Sequence, residues 1–171
     1  MIDKKDMSEE EIKLNYITPA ITETWSKSCI RMEFPVTPGR IMLDGKKAKR
    51  KDAGIADYVL FYNDTSAWFP LAVVEAKDNN HSPYGGMPQA IRYAKAMDAP
   101  FAFSSNGDTF VMHDMKTGAE IDNIPTDAFP SPDDLWNRYR TDNIDFTDRN
   151  NKTILKHTKG HGRWVMSFCD S

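Results

Sequence analysis

The chain has 171 residues, 40% of them hydrophobic and 27% charged, with a formal net charge of −3. That is enough chain for one domain with a sizeable core, no apolar run approaches the roughly 20 residues of a membrane helix, and the net charge excludes a molecule that draws nucleic acid by overall field alone. The N-terminus, MIDKKDMSEEEIK, has no apolar signal-peptide core, so a cytoplasmic protein is expected, and the distant Cys29 and Cys169 read as free thiols of a reducing compartment.

In chain order, residues 8–28 read as a helix: Ser8 with Glu11 forms a capping-box pattern, and Ile12, Tyr16, Ile17, Ala20, Ile21 and Trp25 recur at helical spacing. Pro19 is expected to kink or split it. Strands follow at 30–34, 40–43 and 46–50, the last two joined through Asp44-Gly45 as a hairpin. Residues 55–62 and 71–77 read as strong strands, 79–87 as a Gly/Pro/Asn-rich loop, and 88–98 as a helix with Pro88 in its first turn. Strands at 101–104 and 109–114 flank SNGD, and a helix at 130–140 begins at Ser131 with Pro132, Asp133 and Asp134 behind it. Past about residue 141 the pattern weakens into a polar tail. The order implies an α/β (α+β) domain with a central mixed β-sheet flanked by helices. A folded domain is expected over 1–140 and a linker or truncated tail over 141–171.

The chemistry concentrates in FPLAVVEAKDNN, residues 69–80, where a buried-looking strand ends in Glu75 and Lys77. Alternate strand residues share a face, so Leu71, Val73, Glu75 and Lys77 point one way and Ala72, Val74 and Ala76 the other. Asp57 shares a face with Val59 and Phe61 on the preceding strand, which places it beside Glu75 if the two strands are neighbours. Two adjacent carboxylates repel, more so when desolvated, and either Lys77 or a divalent cation can compensate. Asp57, Glu75 and the Ala76 carbonyl are hard oxygen donors suited to Mg²⁺. A metal there would acidify a bound water and neutralise charge on a phosphate, with Lys77 orienting the water or stabilising the crowded phosphorus. E-x-K by itself is a weak signal, and the plain alternative is a salt bridge at a strand end. Gln89 and Tyr93, four apart on the next helix, share a face and can contact a phosphate or steady Lys77. Glu9 is either part of a solvated acidic run or a further acid that reaches the site. Lys46, Lys47, Lys49, Arg50 and Lys51 form either a solvated loop or a phosphate-contacting edge. His81 reads as a surface histidine, His113 as structural, and Trp25, Trp68, Trp136 and Trp164 as packing residues.

Asp57, then Glu75-Ala76-Lys77, then Gln89-x-x-x-Tyr93 together resemble the PD-(D/E)xK nuclease superfamily. More narrowly, SEEEIKLNYITPAI, ADYVLFY, LAVVEAKDNNHS, GGMPQAIRYAKAMDAPFAFSSNGDTFVMHD and FPSPDDLW resemble, in that order, blocks of the N-terminal endonuclease domain of type I restriction enzyme R (motor) subunits, over roughly residues 7–140. The resemblance implies a restriction-endonuclease-like core and Mg²⁺-dependent cleavage of double-stranded DNA, with Mn²⁺ able to substitute. It implies metal-binding roles for Asp57 and Glu75, a catalytic role for Lys77, and a role in cleavage or DNA handling for Gln89 and Tyr93, with Glu9 as the acid of the first helix. Its implied partners are double-stranded DNA, the motor domains of a full R subunit, and methylation (M) and specificity (S) subunits, with no membrane. The family's subunit is far longer and ATP-driven, whereas no G-x-x-x-x-G-K-[ST] phosphate loop occurs in this chain, so ATP belongs to the full-length subunit and the chain is expected to be a piece of one. The alternative is a non-catalytic DNA-binding or subunit-docking module that keeps the nuclease fold, against which the intact Asp57, Glu75 and Lys77 set argues.

Neutralising Lys46, Lys47, Lys49, Arg50 and Lys51 is expected to lower DNA affinity and flatten its dependence on salt concentration; an unchanged slope in a salt titration would return the cluster to a solvated loop.

Overall fold

The computed structural model describes residues 3–36, 42–44, 47–49, 54–64 and 67–143. Its centre is β5 (Ala67–Ala76), in which Leu71 through Ala76 are at most 1% exposed. The apolar run from Leu71 to Val74 belongs to a strand covered on both faces. β5 pairs antiparallel with β4 (Gly54–Asp64) and parallel with β6 (Phe101–Ser105). The parallel pair requires a crossover, supplied by α3 (Met87–Met97). With β1 (Ile30–Val36), β7 (Thr109–Asp114) and β8 (Glu120–Pro125) the six-stranded mixed sheet runs β1-β4-β5-β6-β7-β8. β2 (Met42–Asp44) and β3 (Lys47–Lys49) pair as the expected hairpin, in a sheet of their own.

On one face of the sheet Ala90, Tyr93 and Ala94 of α3 pack on Val59, Val73, Ala102 and Val111. Tyr58, Phe103 and Phe110 alternate with those residues and so face the other side. There the Tyr58 hydroxyl meets Thr18 Oγ1 at 2.9 Å, and the Phe129 ring lies 5.1 and 4.6 Å from the rings of Phe103 and Phe110.

The N-terminal helical segment is not one kinked helix. α1 (Glu9–Ile12), closed by the Ser8–Glu11 capping box, passes into a π turn over Lys13–Ile17 and then α2 (Thr18–Thr24). Pro19 sits in the first turn of α2, directly behind the π turn, and that wider turn lets Ile12 and Ile17, five apart, both be fully buried. The helix stops at Thr24 rather than 28, because Trp25 turns extended and donates its indole N–H to Pro130 O at 2.9 Å.

Two strand readings are corrected. β5 starts at Ala67, four residues earlier than 71: Pro70 masks the start, but a bulge at Leu60/Phe61 shifts the register there, and β6 pairs only from Ala72 on, so Pro70 interrupts no ladder on that side. β8 has no counterpart in the sequence reading, because an exposed, acidic edge strand carries no apolar alternation to betray it. Trp68 is also less buried than a packing role implies, at 43% exposed, whereas Trp136 stacks on Tyr62 at 4.5 Å. Trp164 and Cys169 lie outside the described residues; Cys29 is a half-buried free thiol.

α4 (Pro132–Asn143) begins in a reciprocal cap, Asp134 N–H on Ser131 Oγ and Ser131 N–H on Asp134 Oδ2. The residues through Trp136 form one compact unit, and of the second, from Asn137, only the rest of α4 is described. The expected tail from 144 to 171 lies outside the described residues. Among the described residues no helix is long and apolar enough to cross a membrane.

A methyl at Gly54, the first residue of β4, would overlap the buried Tyr93 ring. Gly54→Ala is therefore expected to lower stability by about 1–3 kcal/mol in urea unfolding, as overpacked cores do, and Tyr93→Ala in the same chain should remove that increment.

Candidate active site

Glu75 stands next to last on β5, at the carboxyl end of the parallel β5–β6 pair. In open sheets of this kind such strand ends border the ligand crevice. The β4–β5 register, Tyr58 opposite Val74 and Val59 opposite Val73, carries Asp57 to the position across from Glu75. The two strands are neighbours, as the placement of Asp57 beside Glu75 requires. The Asp57 N–H donates to Glu75 Oε1 at 3.2 Å and the Ala76 N–H donates to Asp57 Oδ2 at 2.8 Å, so each acid is tied to the other's strand. Both are buried, Glu75 to 1% exposure. Burial, and after it the Asp57 carboxylate, push Glu75 up to about 8.

Lys77 follows immediately. Its N–H bonds Ser105 O at 2.8 Å, and its ammonium reaches back to Glu9 Oε2 at 3.3 Å. Glu9 of α1 is thereby brought to the site. Gln89 and Tyr93 do share a face of α3, with Gln89 Nε2 donating to the Tyr93 hydroxyl at 3.3 Å and Arg92 doing so at 3.2 Å. Tyr93, however, is only 4% exposed and lies against Gly54 in the core. The lysine is steadied by Glu9 rather than by this pair. Of the basic cluster, Lys47 and Lys49 lie on β3, whereas Lys46, Arg50 and Lys51 lie outside the described residues. His81 pairs with Asp78 at 3.0 Å on the surface, and His113 with Glu120 at 3.2 Å across the β7–β8 pair.

Sequence reasoning overlooked three contributors. Lys13, 3% exposed, places its ammonium 3.1 Å from Asp57 Oδ1 and 2.9 Å from Glu33 Oε1, and it also pairs with Glu10. Burial alone pulls this ammonium down; the carboxylates of Glu10, Glu33 and Asp57 outweigh it and hold Lys13 above the ordinary lysine range. The signal was a lysine beside Ile12 inside an apolar helical stripe. Gly86, before α3, is the second: an added Cβ would lie 2.8 Å from Ser104 Oγ and 2.9 Å from Glu75 Cβ, so only glycine lets the loop close over the acid. The third is a bracket of polar side chains. Asn79 bonds Asn106 O and Asp108, Asn106 bonds His81 O, and Lys4 bonds Gly107 O and Asp108, fastening the loop after Lys77 to the β6–β7 turn and the N-terminus.

The donor set fits a hard divalent cation. Two buried carboxylates face each other, and the Glu75 charge is opposed by desolvation. Among the described residues no group of three or more Asp, Glu, His or Cys is placed to hold a metal ion between them, so most of a cation's shell would be water, which suits Mg²⁺ better than a metal that demands a full protein cage.

Residues 42–121 match the family of the type I restriction enzyme R protein N terminus. Over 144 residues the chain is 37% identical to the type I restriction enzyme EcoAI endonuclease subunit of Escherichia coli, covering 81% of this chain and 17% of that protein. A solved fragment, assigned as an HsdR subunit of a type I restriction enzyme from Vibrio vulnificus YJ016, superposes with a TM-score of 0.63 at 35% identity, covering 80% of this chain and 26% of that one. The chain thus spans about a sixth to a quarter of the relatives it matches, and it belongs to the family of type I restriction enzyme R protein N-terminal domains.

Proposed function

We propose that this domain is a Mg²⁺-dependent endonuclease module that hydrolyses phosphodiester bonds of double-stranded DNA within a type I restriction system. The observation that carries the reading is the buried Asp57–Glu75 pair at the end of β5 with the Lys77 ammonium two residues on. Asp57 and Glu75, with the Ala76 carbonyl, would hold the cation. Bound there, Mg²⁺ or Mn²⁺ supplies Lewis acidity toward a phosphate oxygen and an acidified water.

The remaining work falls to the chain itself. The Ala76 and Asp57 peptide N–H groups fix the two carboxylates against each other, so the acids are oriented before substrate arrives. Lys77, positioned by Glu9, offers a positive charge to the non-bridging oxygens as the water oxygen bonds to phosphorus and the bond to the leaving oxygen breaks. The proton lost by the water passes to solvent, and the leaving oxygen takes one up. Tyr93, which accepts from Gln89 Nε2 within α3, packs α3 against the start of β4, which keeps the Gly86 closure over Glu75. DNA is the proposed substrate. The motor domains of a full R subunit and the M and S subunits are the proposed partners, in the cytoplasm, with ATP used by the motor domains.

Calorimetric titration with Mn²⁺ is expected to show binding by the wild-type chain and its loss in Asp57→Ala and Glu75→Ala, with binding kept in Lys77→Ala. Cleavage of plasmid DNA should vanish in all three while circular dichroism stays unchanged. Cleavage at the wild-type rate by all three would refute the site.

A second expectation concerns pH. A Glu75 carboxyl near 8 in the folded chain, against about 4.3 unfolded, is a raised value, so its contribution to stability is full below about pH 4 and is lost as pH rises through 8. In EDTA, the stability of Glu75→Gln relative to wild type should climb across that window, by at most about 1.4 kcal/mol per pH unit, and level off above it. A difference that stays flat between about pH 5 and 8 would mean that Glu75 is ionised in the folded chain, against the direction its burial imposes.

A further inference from the structure

We infer that Lys13 is a positioning residue for the cation site formed by Asp57 and Glu75, an inference that rests on the reading of that pair given above. The Asp57 carboxylate has two oxygens and two protein donors. The Ala76 N–H holds Oδ2 at 2.8 Å and the Lys13 ammonium holds Oδ1 at 3.1 Å. With the peptide donor alone, the carboxylate is pinned at one oxygen and free to swing about it. With both, its plane is fixed beside Glu75.

Two local departures from regular structure and one costly burial converge on this one ammonium. The π turn opens at Lys13 itself, and such turns concentrate at functional sites. Glu33, which anchors Lys13 at 2.9 Å, adopts φ +48° inside a β-strand, a left-handed conformation that a residue with a side chain takes only where its surroundings enforce it. The lysine is buried to 3% exposure, where an ammonium is costly unless several carboxylates meet it. A salt bridge needed only to join α1, β1 and β4 would not have to end on the acid proposed to hold the metal.

Removing Lys13 also removes a positive charge, which by itself would tighten cation binding. The test therefore compares two variants of equal charge. In Lys13→Met/Glu33→Gln the ammonium and one of its carboxylates go together, so the net charge is unchanged; of the two carboxylates left, Glu10 is exposed to water and Asp57 is the acid under test. Lys13→Gln/Glu33→Gln has the same charge but restores an N–H donor beside Asp57 Oδ1. Mn²⁺ affinity is measured by calorimetry on the full 171-residue chain, with circular dichroism as the control for folding. Outer-shell partners of metal ligands typically change affinity by about 10–100-fold. The Met variant should accordingly bind Mn²⁺ about tenfold or more weakly than wild type, and the Gln variant should recover most of that loss. Equal affinities in the two variants, whether tight or weak, would overturn the inference while leaving the acid pair in place. Undiminished Mn²⁺ binding by Glu75→Ala would instead remove the acid pair, and the role of Lys13 with it.

Discussion

Two carboxylates forced together out of water are the constraint on which this domain turns. Asp57 and Glu75 lie on adjacent antiparallel strands, both buried, and neither like-charge repulsion nor lost hydration favours that placement. The fold holds them by covalent geometry and peptide hydrogen bonds, while the Lys13 ammonium meets Asp57 and burial disfavours the charge of Glu75. Each acid is bonded to the backbone of the other's strand, so the ladder that stabilises the sheet also prevents the acids from separating. Of the nearby ammoniums, Lys13 is shared among three carboxylates and Lys77 is paired with Glu9. The site keeps an excess of negative charge, the condition under which a hard cation binds.

The rest of the structure serves that placement. Antiparallel pairing with β4 puts Asp57 opposite Glu75, and parallel pairing with β6 opens the carboxyl end of β5 to the crossover loop. The loop then comes back over Glu75 so tightly that Gly86 has no room for a side chain. The asparagine bracket and the N-terminal Lys4 pin that loop from the far side. α3 is held to β4 through the contact of Tyr93 with Gly54. A residue pair resembling a family's Q-x-x-x-Y element is thus part of the frame around the acids, with its tyrosine buried in the core.

Much of this was legible in the chain. Leu71-Ala72-Val73-Val74 could only be a covered strand, and the period-2 rule put Glu75 and Lys77 on one face of it. Ser8-x-x-Glu11 marked a helix start that the capping box realises. Where the sequence misled, a compensating long-range contact was responsible. Pro70 looked like a strand boundary because its tolerance depends on a bulge and on β6 pairing only further along. The edge strand β8 has no apolar face to announce it. Lys13 drew no reading from the sequence, because two of the carboxylates that meet it, Glu33 and Asp57, are 20 and 44 positions away.

By itself, then, the sequence determined which residues are the candidates for the chemistry, since residue type and strand periodicity are local properties: two acids, a lysine two residues on, and a Gln/Tyr pair on a following helix. It also determined the alternation of strands and helices. Tertiary structure alone decided which of these meet. That β4 is antiparallel to β5 and in register at Asp57 and Glu75, that Glu9 rather than Gln89 steadies Lys77, and that a lysine from the first helix is buried against Asp57 all depend on contacts between segments far apart in the chain. Such contacts are fixed by the burial and hydrogen bonding of the whole sheet, and no local pattern encodes them.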